Sequence, residues 1–378
     1  MTPPSRVLLL CWRDTGHPQG GGSERYLESV GRELAARGSD VTLVTAQYPG
    51  APRTEHRDGV RILRAGGRLG VYPRALLTIL AGRLGRGPLA GYAPDVVIDT
   101  QNGMPFFATL VTRAPTILLV HHCHREQWPV AGRALGHLGW FLESRVSPWV
   151  HRRNHYVTVS APSKRELVDL GVDDGRITVI RNGLDPVPAG IPPRPAGPDG
   201  PVRMCVLSRL VPHKQVEHAL IALADLRRAG VDVELDVIGG GWWSDELISR
   251  ARDLGVDEAV DFHGHVTETV KHQILARARV HLMPSRKEGW GLAVMEAAQH
   301  GVPTIGYRSS VGLMDSVEDG KTGLLVDGID EFTSAARKLI DNPDEASRLG
   351  DAAHRKSQRY SWGATADEML SVFARLWR

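Results

Sequence analysis

The 378-residue chain predicts an α/β protein of two domains, each built on a parallel sheet, and three observations carry that expectation. Short apolar runs alternate with amphipathic helical stretches through both halves, the pattern of repeated βαβ units. A proline-rich segment, residues 186–201, interrupts the alternation and cannot be sheet interior, so it reads as a connector. The length suffices for two domains of ordinary size, each burying its own core. The expected limits are 1–185 for the first domain, 186–201 for the linker and 202–361 for the second. A terminal helix over 362–378 is expected to cross back onto the first domain.

In the first half, residues 6–11 read as a strand, followed by a helix over 23–37 with Ser23 as its N-cap. Tyr26, Leu27, Val30 and Leu34 lie on one face of that helix, and Gly38 stops it. Residues 41–45, 96–98 and 116–120 read as further strands. The second half repeats the theme with strands at 204–207, 233–238, 260–262, 280–283 and 304–306. Helices at 216–229, 244–254, 267–276 and 292–300 separate them, and a last helix runs through 339.

Composition excludes several classes. Cys11, Cys123 and Cys205 lie far apart without metal-type spacing, which predicts a reducing, cytoplasmic setting rather than a disulfide framework. The apolar run at 7–11 is too short for a signal peptide, and no stretch approaches the ~18 apolar residues that span a bilayer. Net charge is +3, but residues 1–183 hold 23 Lys or Arg against 15 Asp or Glu, a net of +8, leaving 23 against 28 for the rest. A basic first half suits an anionic partner; no nucleic-acid motif accompanies it, so nucleic acid is not expected. Residues 74–86 and 133–153 mix arginines with Leu77, Leu80, Trp140, Phe141 and Trp149 as basic amphipathic segments. They predict weak peripheral association with the anionic inner face of the cell membrane.

The chemistry concentrates in residues 284–303. Glu288 and Glu296 stand eight residues apart around a helix entry containing Gly289 and Gly291. Amides at Leu292 and Ala293, with the positive end of a helix dipole, suit a phosphate there. Two carboxylates beside a phosphate are better suited to accept hydrogen bonds from hydroxyls, a sugar at one end and a ribose at the other. A lone glutamate pair is ordinarily a cap and a solvated residue. A second segment changes that balance: the apolar run at 204–207 ends in a loop carrying Arg209 and Lys214, where open α/β sheets bind ligands. A guanidinium fork and an ammonium there can clamp a diphosphate.

Arg209 to Lys214, the Glu288–Glu296 pair and Gly20-Gly21-Gly22-Ser23-Glu24 together resemble the retaining glycosyltransferases of family 4. Asn182-Gly183-Leu184-Asp185, Phe262-His263-Gly264-His265-Val266 and Thr322-Gly323-Leu324-Leu325-Val326 extend the resemblance along nearly the whole chain. It implies the GT-B fold, two Rossmann-like domains facing across a central cleft. It further implies that Arg209 and Lys214 bind the donor diphosphate, Glu288 the transferred sugar, and Gly291, Leu292 and Ala293 the phosphate. Glu296 would then bind the ribose, with His265 and Val266 flanking the base. The amides of Gly21 and Gly22 would approach the donor phosphates from the first domain, and His121 would face the reaction centre.

His121, His122 and His124 also raise a metal site, but side chains alternate along an extended segment and no third ligand converges, so no metal is expected. No Asp-x-Asp occurs, so charge on the departing nucleotide falls to Arg209, Lys214 and the helix dipole, with no obligatory cofactor. The glycine run lacks G-x-G-x-x-G spacing and residues 45–47 offer no acidic ribose ligand, which argues against a dehydrogenase. Asp99-Thr100-Gln101-Asn102, where many relatives have histidine, and Arg181, where proline is common, depart from the family on the acceptor or hinge side. The acceptor therefore stays open among a lipid carrier, a cell-envelope glycan and a small molecule. A nucleotide-sugar epimerase or hydrolase on the same fold, or a non-catalytic nucleotide-sugar-binding protein, are the competing readings.

Overall fold

The computed structural model describes residues 3–18, 20–125, 128, 132–192 and 200–376; of the expected linker, 193–199 lie outside the described residues, as do 377–378 of the terminal helix. The chain divides into two compact units, Met1–Gly183 with Ser361–Arg378, and Leu184–Tyr360.

The first unit holds β1 (Arg6–Leu10), β2 (Asp40–Thr45), β3 (Thr54–Arg57), β4 (Val60–Arg64), β5 (Val96–Gln101), β6 (Thr116–Val120), β7 (His155–Thr158) and β8 (Ile177–Val179). They form one sheet in the order β3-β4-β2-β1-β5-β6-β7-β8, parallel except for the antiparallel β3–β4 pair. Central strands such as Val7-Leu8-Leu9-Leu10 are buried throughout, as expected of a parallel sheet covered on both faces. The expected helix after β1 spans Gly22–Ala36, with Tyr26, Leu27, Val30 and Leu34 buried. Its N-cap is Gly21, not Ser23. The Glu24 carboxylate takes the Gly21 amide at 2.9 Å and starts the helix two residues earlier than a serine cap would. The Trp362–Leu376 helix packs on this one: Trp362 meets Tyr26 edge-on and Arg37 donates to the Gly363 carbonyl.

The second unit holds β9 (Val202–Leu207), β10 (Val233–Ile238), β11 (Val260–Gly264), β12 (Val280–Met283), β13 (Thr304–Tyr307) and β14 (Gly323–Val326). Their order is β11-β10-β9-β12-β13-β14, all parallel. Chain order thus reverses between β9 and β12, the switch point at which doubly wound sheets bind ligands. A core of Met204, Val206, Leu220, Leu223, Leu235, Leu282 and Phe332 fixes this sheet against its helices. The helix expected over 292–300 closes earlier, at Leu292–Ala298, because His300 and Gly301 amides turn back to the carbonyls three residues before them.

Candidate active site

The two loops leaving the second switch point meet. After β9 the chain makes a short 3₁₀ turn, Pro212–Lys214, and bends sharply at Gln215, which is left-handed at φ 49°. The Arg286 amide of the loop after β12 donates to the His213 carbonyl at 2.9 Å, stitching the loops together. Lys214 Nζ then lies 2.5 Å from Glu288 Oε1, with 13% and 12% of the two side chains exposed. Burial works to raise the Glu288 carboxyl, but the Lys214 charge and hydrogen bond, helped by Ser285 and His213, hold it below its ordinary value. Burial, then the Lys214 and Arg209 charges, push His213 down to about 4. Arg209 itself is exposed on the same loop.

Three glycines let the neighbouring backbones crowd in. A Cβ at Gly239 would sit 2.0 Å from the Ser208 carbonyl, and one at Gly241 2.0 Å from that of Leu210. One at Gly240 would meet the His265 ring at 2.8 Å, so His265 lies over a bare strip of backbone, exposed, while Val266 packs on the Cys205–Ile238–Ala297 cluster.

Gly291 caps the Leu292–Ala298 helix in the left-handed region at φ 86°, which favours glycine. Leu292 and Ala293 open the first turn. Glu296, expected to be either solvated or ligand-binding, is buried, and Lys271 Nζ donates to its Oε1 at 2.6 Å.

In the first unit the corresponding switch point lies between β1 and β5. Glu24 is buried there, accepting from Arg13 Nε at 3.0 Å, from the Gly21 amide and from the Ser23 hydroxyl at 2.9 Å. The Gly21 amide is thus spent on a carboxylate, while a Cβ at Gly22 would meet nothing within 4 Å. Asn102, just past β5, donates to the Ser23 hydroxyl. His121 follows β6 with 6% exposure, its ring edge-on to Tyr26. Both ring nitrogens lack a hydrogen-bond partner among the described residues. Burial, with a contribution from His124, pushes His121 down to about 4 against the opposing pull of Glu24.

Sequence reasoning missed several supports of this geometry. Asp14 and Arg64 form a fully buried ion pair at 2.6 Å that anchors the loop after β1. Gly312 lies against the Glu288 backbone, and Lys271 holds Glu296. Each pairing joins residues 24 or more positions apart, so no local pattern announces it. The histidines at 122 and 124 lie 4.4 Å apart between ring centres, their planes tilted by 31°. Among the described residues the one group spaced to hold a metal is Asp236, Asp261 and His263. Arg277 and Arg203 already pair with those aspartates at 2.6 Å, an ionic network that needs no added cation.

Comparison with known proteins bears on this geometry. Residues 20–187 match the model described as Glycosyltransferase Family 4 and residues 191–356 that of Glycosyl transferases group 1. A GDP-mannose-dependent alpha-(1-6)-phosphatidylinositol monomannoside mannosyltransferase from Mycolicibacterium smegmatis is 32% identical, over 94% of this chain and 96% of that protein. This chain belongs to the family 4 glycosyltransferases. A glycogen synthase from Mycobacterium tuberculosis is 29% identical to this glycosyltransferase over 97% of the chain and 94% of its own length. Sucrose-phosphate synthase from Thermosynechococcus elongatus superposes with a TM-score of 0.81 at 20% identity, covering 99% of both chains. The Anabaena protein HepE, solved with UDP-glucose, superposes at 0.74 and 17%, covering 98% of this chain and 99% of its own. The glycosyltransferase has the GT-B fold.

Proposed function

We propose that this glycosyltransferase moves a sugar from a nucleotide diphosphate sugar to an acceptor hydroxyl with retention of anomeric configuration. The observation that carries the reading is the Lys214–Glu288 pair at the β9/β12 switch point. A cation and a carboxylate are held together, partly desolvated, where a nucleotide would end and its sugar begin. Lys214 and Arg209 meet the charge that develops on the departing diphosphate, and the amides of Leu292 and Ala293 beyond Gly291 meet the phosphate itself. Glu288 accepts hydrogen bonds from the transferred sugar, Glu296 from the ribose, and His265 and Val266 border the base. On the first unit, the Gly21 amide becomes available to a phosphate only by leaving Glu24, while Gly22 carries no side chain beside it. His121 is neutral and presents unpartnered ring nitrogens, suited to a sugar or acceptor hydroxyl.

The acceptor hydroxyl attacks on the face from which the phosphate leaves, and the departing phosphate oxygen takes its proton. No protein nucleophile is required. No metal or cofactor is required either, because protein cations carry the charge, so activity is expected to survive chelation by EDTA.

A thermal-shift panel of nucleotide diphosphate sugars, GDP-mannose among them because a relative uses it, identifies the donor by mass action. NMR of the product formed with that donor then reads the anomer. An inverted product overturns retention, and release of free sugar or epimer at the same rate without acceptor favours the hydrolase or epimerase reading.

In this reading the glycosyltransferase also associates weakly with an anionic membrane surface, whichever acceptor it uses. Leu135, Leu138, Phe141 and Trp149 are exposed, and the Arg152 guanidinium stacks over Trp149. Leu77, Leu80 and Leu84 are exposed as well, beside Arg74, Arg83 and Arg86, although Ile79 of the same helix is core. Apolar side chains among arginines suit anionic headgroups. Sedimentation with anionic vesicles that is lost at high salt is expected; no binding at low salt removes this part of the proposal.

A further inference from the structure

Lys271 is a charged residue buried to 8% side-chain exposure in the Glu268–Arg277 helix, beside the carboxylate assigned above to the ribose. Its ammonium donates to Glu296 Oε1 at 2.6 Å and to Glu268 Oε2 at 2.7 Å, so it ties the neighbouring helix through Glu296 while also pairing one turn back on its own helix. Lysine is rarely buried without such partners. Glu296 lies on a helix of seven residues whose neighbours Met295, Ala297 and Ala298 are core. Its backbone is therefore fixed, and the freedom left to the carboxylate is that of its own side-chain torsions. A hydrogen bond at 2.6 Å from a buried ammonium removes that freedom and compensates the burial of the charge. A carboxylate has about four acceptor positions, and the Lys271 bond sets the direction in which the others point.

From this we infer that Lys271 is the positioning residue for ribose recognition: it aims the Glu296 carboxylate at the ribose hydroxyls without touching the nucleotide. The inference rests on the reading of Glu296 as the ribose acceptor. Lys271 then sets selectivity for a ribonucleotide over one lacking the hydroxyls, and leaves the chemical step alone.

The test is calorimetric titration of the full chain with GDP and UDP and with the 2′,3′-dideoxy form of whichever binds more tightly. The wild type prefers the ribo form. Lys271→Met lowers affinity for the ribo form about tenfold, leaves the dideoxy form within about twofold, and raises KM for the donor with kcat nearly unchanged. Lys271→Arg, which keeps the charge but shifts the donor atoms, recovers part of the preference. If Lys271→Met does not fold, Lys271→Arg alone decides: reduced discrimination supports the inference and unaltered discrimination overturns it. Equal losses for both ligands also overturn it, because they mark Lys271 as a phosphate contact or a purely structural residue. Glu296→Gln separates the two levels. If it abolishes the ribo preference while Lys271→Met preserves it, the positioning role fails and the ribose reading stands. If Glu296→Gln itself leaves the preference intact, the ribose reading falls, and the inference with it.

Discussion

Lys214 and Glu288 form a 2.5 Å ion pair that joins the loops leaving two adjacent strands on either side of the second sheet's reversal. The pair stabilises the fold. Removing the lysine leaves a carboxylate buried without its cation, a change that costs about 3 kcal/mol.

The pH dependence of that cost changes sign. With Lys214 present, the folded value of Glu288 lies below its ordinary value of about 4.3, so its contribution is complete above that value and fades as pH falls toward the folded one. In Lys214→Met the largest influence, burial, is opposed only by the Ser285 hydrogen bond and His213, so Glu288 rises. The folded state then holds its proton more tightly than the unfolded state, and stability rises as pH falls toward about 4.3. Urea melts from about pH 3 to 7, each compared with its Glu288→Gln counterpart, read both slopes, the wild-type one below about 4.3 and the variant one above it. Parallel slopes would contradict the pairing.

Arg209→Ala and Lys214→Ala should each slow transfer by about 100-fold, the loss of a few kcal/mol of stabilisation on the departing diphosphate. The loss should fall on kcat with the cognate donor at saturation. Normal turnover in both variants would remove the electrostatic role.

The parts of this design that were legible in sequence are those written locally. Apolar runs such as Val7–Leu10, and a glycine just before a helix such as Gly291, announce strands and a helix start within a few residues. Strand β3, Thr-Glu-His-Arg, has no apolar residue; it is an edge strand held by its antiparallel partner and by the Glu55–Arg64 pair across to β4, so periodicity could not find it. The Asp14–Arg64 pair and the Lys271–Glu296 pair were illegible for another reason. Each looks like two ordinary surface charges until the fold buries both. Ser23 as an N-cap failed because a glutamate at the third helical position reached back to Gly21.

His121 should remain neutral through the whole range in which the enzyme works. Its folded value near 4 lies below the ordinary 6.5, so between these the unfolded chain takes up a proton that the folded one refuses. Its contribution to stability is therefore full above 6.5 and declines as pH falls toward 4. His121→Gln should flatten that part of the acid limb. Long-range ¹H–¹⁵N spectra should show no His121 titration near 6.5, and a midpoint there would mean that the ring is solvated or paired with an acid.

Gly312→Ala offers the sharpest test of how Glu288 is aimed. The Gly312 backbone is helical, φ −60° and ψ −28°, which alanine adopts freely, so any effect is steric. A Cβ there would fall 2.0 Å from the Glu288 carbonyl oxygen and 2.9 Å from that of Gly289. Backbone atoms cannot swing aside as a side-chain tip can. The loop must retreat by roughly 1 Å and carry the carboxylate with it, a misplacement of the size that costs about 100-fold in rate. Gly67→Ala, whose Cβ would meet nothing within 4 Å, is the matched control and should leave activity unchanged. Equal activity in the two variants would show that the Glu288 backbone tolerates displacement, and that its side chain finds the sugar without this support.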